Sequence, residues 1–208
     1  MTQEHGQLQD LVEIRSMMER SSRFMSISGF AGILIGLYAL AGAAVAYNVF
    51  EFNPVQLQIS DTPDMDTLMK LTAVYMLGGL ILFISIGTAL FLTARKAAYR
   101  GEKSWNATSR QLIVEMAVPL FTGGGLVLII LSKGLIGLLT PVTLIFYGLA
   151  LFSASKFTYH EVRYLGVIQM ILGLLGAAVI HYGLLFWVLG FGVAHVIFGI
   201  YLHFRYER

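Results

Sequence analysis

The sequence predicts an all-α integral membrane protein: six transmembrane helices in three hairpins, both termini cytoplasmic, preceded by an amphipathic interfacial helix. Three observations carry that prediction. Of 208 residues, 57% are hydrophobic and only 12% charged, with a mean hydropathy of +0.74, whereas soluble domains carry about 25% charged residues. Between Arg163 and Arg205 the chain runs 41 residues without Asp, Glu, Lys or Arg, broken by His181-Tyr182-Gly183. A hydrocarbon core about 30 Å thick takes ~20 helical residues to cross, so that run makes two crossings joined by a tight turn. The third observation is where the basic residues fall. Sorted onto alternating sides of six spans, 12 of the 14 lie on one side, and only Lys70 and Lys133 lie on the other. The positive-inside rule then places both chain ends in the cytoplasm.

Taken in order, residues 1–23 form a cytoplasmic segment ahead of a six-helix domain, 24–208. Leu8, Leu11, Val12 and Met18 recur at near-helical spacing, with Asp10, Glu13, Glu19 and Arg20 elsewhere around the turn. Such a helix lies along the membrane face, or offers a docking surface to a soluble cytoplasmic partner. Spans follow at about 24–50, 68–94, 111–132, 134–156, 162–181 and 184–204, each bounded by charge or a turn. The first apolar run has no small-residue cleavage site after a short core, so it reads as a retained span and not a signal peptide. The one sizeable external loop, 51–67, carries Glu51, Asp61, Asp64 and Asp66 and no basic residue.

Glycine spacing predicts how the spans pack. Gly29 and Gly36, Gly166 and Gly173, Gly183 and Gly190, and Gly192 and Gly199 are each seven residues apart. Each pair therefore returns to nearly the same helix face and leaves a smooth stripe for a neighbouring backbone. Gly32 and Gly36 add a small-xxx-small pattern, available to contacts inside the chain or to a homo-oligomer. The short turns suggest one hairpin repeated three times, with the glycine spacing missing from the second.

Few residues carry chemistry. Glu115 is the one carboxylate within a span, where charge is costly and function is the default hypothesis. Pro119, four residues on, cannot donate to its carbonyl, so a free acceptor and a kink are expected at one level. The alternative is a Glu115 that snorkels to the headgroups or pairs with a nearby base. His195 is the deepest histidine, bracketed by Gly192 and Gly199, and is expected to bond across to Glu115, Tyr147 or Tyr75. Glu115, Pro119 and His195 together make the candidate intramembrane polar site.

Several classes are excluded or disfavoured. With no cysteine, disulfides, thiolate metal sites and a cysteine nucleophile are ruled out. His181 and His195 differ by roughly 15 Å in depth and cannot face each other across a haem iron. No HExxH accompanies the histidines, and Gly123-Gly124-Gly125 lacks the Lys-Ser/Thr of a phosphate loop. No cofactor, metal or catalytic residue is therefore expected. Trp105 and Tyr99 amid Arg95, Lys96, Arg100 and Lys103 read as interface anchors and anionic-lipid contacts, with no nucleic-acid partner. Asn106-Ala-Thr108 matches a glycosylation sequon but falls on the cytoplasmic side.

Gly166-Val-Ile-Gln-Met-Ile-Leu-Gly173, then Gly183-Leu-Leu-Phe-Trp187-Val-Leu-Gly190, then Gly199-Ile before a basic end resembles the HdeD-like family of small six-span bacterial membrane proteins. The likeness is concentrated in residues 166–205, and the proline usual in that family's external turn is missing at 181–183. The resemblance implies a bacterial inner-membrane setting and a part in acid or envelope stress, without an established catalytic mechanism. The expectation is a non-enzymatic stress or scaffold protein. A small transporter or proton-coupled channel using Glu115 and His195, and a lipid or small-molecule sensor, are the alternatives.

Overall fold

The computed structural model describes Phe24 and residues 27–52, 65–101 and 105–207. The amphipathic helix expected over 1–23 lies outside them. Described residues are all helical or connecting, without a strand, and six helices are long and apolar enough to cross a membrane. They are α1 (Gly29–Asn48), α2 (Met65–Tyr99), α3 (Ala107–Ser132), α4 (Leu139–Ala154, which reaches spanning length together with the 3-10 turn Ile136–Leu138), α5 (Glu161–Ala178) and α6, the helical run Ile180–Tyr206. All six match the expected spans to within five residues at each end. α2 begins three residues earlier than expected and runs on to Tyr99.

Local sequence explains the boundaries. Asn106, read above as half of a sequon, is the N-cap of α3: its side chain accepts from the Ser109 N–H, and the Ser109 hydroxyl accepts from the Asn106 N–H. At the other end Gly134 takes φ +69°. Its N–H bonds the Leu131 carbonyl while the Leu135 N–H bonds that of Ile130, a Schellman closure that turns the chain sharply towards α4. Helix α3 runs unbroken through Pro119. Helix α6 is not uniform: a π-helical stretch, Val188–Ala194, separates Gly183–Trp187 from His195–Tyr206.

Two seams organise the bundle. α1 packs on α6, and α4 packs on α5. α2 lies outside α1, and α3 outside α4. The glycine stripes account for the seams. A Cβ on Gly29 would lie 2.8 Å from the Gly199 carbonyl oxygen, one on Gly32 3.1 Å from the Gly199 Cα, and one on Gly36 2.7 Å from the Gly192 carbonyl oxygen. Across the other seam, Gly148 and Gly166 face each other's carbonyls at 2.6 and 2.7 Å, and Gly173 meets the Ile145 backbone at 3.0 Å. Only glycine lets backbones come this close. α3 and α4 lack the seven-residue glycine spacing, as expected, and a single glycine of α4, Gly148, lets α5 approach.

Candidate functional site

At the centre of the bundle, α4, α5 and α6 bring together Tyr147, Gln169 and His195. Gln169 and His195 are 0% and 3% exposed. Counted along their helices from the end where α6 finishes, the three lie about 10 to 16 Å deep. The His195 Nδ1 is 2.9 Å from the Gly190 carbonyl oxygen, and its Nε2 is 2.9 Å from the Tyr147 hydroxyl. A carbonyl only accepts, so Nδ1 carries the proton. Nε2 bonds the Tyr147 hydroxyl, so both ring nitrogens are engaged. Gln169 donates its amide to the same carbonyl at 2.7 Å. Gly190 lies in the π-helical turn, and a Cβ there would collide with Leu144 Cδ2 and come within 2.5 Å of Gln169 Oε1. That turn, a feature frequent where helices bend around a site, presents one carbonyl to two side chains. Phe191 stacks on the His195 ring at 6.1 Å and lies tilted against the Tyr147 ring at 5.1 Å. Gln169 Oε1 is buried with no partner among the described residues.

His195 thus bonds Tyr147, one of its three expected partners. Glu115 belongs to a different place, a groove it lines with Arg110, Gln111, Val114 and Phe157. Pro119 is buried and is not among those lining residues. The niche expected from Glu115 and Pro119 is therefore a groove that the proline does not line, and no hydrogen bond joins Glu115 to His195 among the described residues. Tyr75 keeps a buried hydroxyl without a partner among the described residues. Gly190, Gly192 and Gly199 all serve α6: Gly192 faces Leu40 of α1, with Cγ 2.9 Å from its would-be Cβ.

A second polar cluster escaped the sequence reading. Glu207, one residue beyond α6, accepts from the Gly29 N–H at 2.8 Å, from Lys96 Nζ at 2.9 Å and from His203 Nδ1 at 2.7 Å. Lys96 also donates to the Ile27 carbonyl at 2.7 Å. Ser28 gives α1 no side-chain cap, so Glu207, 178 residues away, satisfies the first N–H of α1. Burial pushes the Glu207 carboxyl up, but hydrogen bonds from Lys96, His203 and Gly29 outweigh it and hold the group at about 2. Alongside, the Phe24 N–H bonds the Phe157 carbonyl at 2.7 Å and Thr158 donates to the Phe24 carbonyl at 2.8 Å. Tyr206 donates to Glu161 at 2.8 Å. The start of α1 and the ends of α2, α4 and α6 are tied together here.

Among the described residues no group of three or more His, Asp or Glu side chains is placed to hold a metal. Comparison of the chain with known protein families, with curated proteins and with solved structures finds no match. What the chain does must therefore be argued from its own geometry.

Proposed function

We propose that the chain is a non-enzymatic, multi-pass structural protein of the bacterial inner membrane, with both termini cytoplasmic, serving an envelope- or acid-stress or scaffold role. The observation that carries this reading is that the buried His195 has both ring nitrogens engaged by neighbours. His195 spends both ring nitrogens on Tyr147 and Gly190, as a packing element does, and it is separate from Glu115. A conducting site needs polar walls that converge on a water-filled path. The resemblance of residues 166–205 to the HdeD-like proteins supports the setting, and the 12 to 2 split of basic residues supports the orientation. The hairpin organisation belongs to the same proposal.

Reconstitution into liposomes loaded with a pH dye tests it. Under an imposed gradient, wild type should show no proton flux above protein-free vesicles. His195→Ala should change stability instead, by about 2–3 kcal/mol, for a lost buried ring and its bonds. Flux in wild type that disappears in both His195→Ala and Glu115→Gln would replace this reading with proton transport.

A further inference from the structure

Arg110 and Glu115 are the two charged side chains lining a groove of about 250 Å³, and Gln111, Val114 and Phe157 complete its walls. Neither charge makes a side-chain hydrogen bond or ion pair with another described residue. At ~1.5 Å per residue, α3 is about 39 Å long against a hydrocarbon core of about 30 Å. Centred in the bilayer, it puts Arg110 close to the hydrocarbon boundary and Glu115 roughly 7.5 Å further in. Helical side chains lean towards the helix N-terminus, so the Glu115 carboxylate reaches back towards that boundary. Val114 is exposed and Phe157 half-buried, giving the groove an apolar wall open to the bilayer.

A lone carboxylate against lipid is costly unless a partner arrives. The groove offers one cation and one anion, offset by roughly 7.5 Å along the helix axis, next to an apolar wall. An anionic lipid would satisfy Arg110 and be repelled by Glu115. A choline headgroup would satisfy Arg110 through its phosphate, but it has no N–H to give the carboxylate. A primary ammonium does, and a guanidinium holds phosphate with two parallel bonds. We propose that this groove seats a phospholipid with a primary-ammonium headgroup, its phosphate on Arg110, its ammonium on Glu115 and an acyl chain along Val114 and Phe157. The proposal stands independently of the structural role argued above.

The test is lipid competition on the whole protein. Delipidated protein is equilibrated with vesicles of phosphatidylethanolamine, phosphatidylcholine and phosphatidylglycerol in equal parts, and retained lipid is read by native mass spectrometry. Phosphatidylethanolamine should exceed phosphatidylcholine by about tenfold, the worth of one hydrogen bond to a charged group. Glu115→Gln should abolish that preference, and Arg110→Ala should lower retention of both lipids. Equal retention of all three lipids, a preference for phosphatidylglycerol, or a preference that survives Glu115→Gln would each overturn the proposal. The wild-type competition decides it alone if either variant fails to fold.

Discussion

The inner seams and the outer helices use the same residue to opposite ends. In α1, α4, α5 and α6, glycines sit where a neighbouring backbone passes within about 3 Å of a would-be Cβ. On α2 and α3 one glycine, Gly123, meets the Phe146 side chain, while Gly78, Gly79, Gly87, Gly124 and Gly125 have nothing within 4 Å. The most apolar 18-residue stretch of α2 contains no buried residue, while that of α1 is 39% buried. Glycine frequency therefore says little about packing in this chain, and register against a partner helix says nearly everything. In lipid no hydrophobic force separates the two groups of helices. Close backbone approach and polar ties are what hold the inner four together.

The seams should be the most sensitive part. Gly199→Ala would set a methyl 2.5 Å from the Ile33 nitrogen and 2.7 Å from the Gly29 carbonyl oxygen. Backbone cannot step aside as a flexible side chain can, so about 3 kcal/mol of destabilisation is expected, read by denaturant titration in detergent. Gly148→Ala, 2.6 Å from the Gly166 carbonyl oxygen, should match it from the other seam.

Next comes the tie that joins an outer helix to a seam. Lys96 and Glu207 are 14% and 13% exposed, and Glu207→Ala would leave Lys96 without its counter-charge at a cost of about 2–3 kcal/mol. Because the folded Glu207 carboxyl is held at about 2, below its ordinary 4.5, its contribution is complete above the ordinary value and fades as pH falls towards the folded one. Melting curves of wild type and Glu207→Gln should run a constant distance apart near neutral pH and converge below about pH 4.5. A gap that widens in acid would contradict the assignment of this carboxylate.

Smallest, and opposite in sign, is the effect on the outer faces. Gly79→Ala and Gly125→Ala meet no neighbour, so helix propensity should dominate and raise stability by about 0.5–1 kcal/mol. A loss there as large as at Gly199 would mean that an outer face is covered by a further copy of the chain.

The sequence shows the spans plainly because span length and lack of charge are local properties, fixed by bilayer thickness. Stripe membership was also legible, since seven-residue spacing is a property of one helix. Which stripe meets which was not: Gly148 stands without a seven-residue partner, and only its meeting with Gly166 across two helices reveals the second seam. His195 was visible as a buried histidine, and Tyr147 was named among its partners. Gln169 carries no formal charge and so does not stand out among its apolar neighbours, although an amide within a span is itself a signal. Glu207 was missed for a different reason. Its partners Gly29 and Lys96 are 178 and 111 residues away, and nothing in the local pattern joins them. Glu115 was legible as a residue and not as a site, since its groove takes Phe157 from the far side of α4.

The central claim is that α1 and α6 interlock, and Leu40 with Gly192 tests it most directly. The would-be Cβ of Gly192 meets only side-chain atoms of Leu40 at close range, so a double-mutant cycle isolates that contact. Gly192→Ala and Leu40→Ala should each destabilise. In the double variant the new methyl enters space vacated by leucine, so its loss should fall short of the sum by about 1 kcal/mol or more. Additive losses, within about 0.3–0.5 kcal/mol, would mean that the two residues do not touch and that the seam joining the first and last helices is not there.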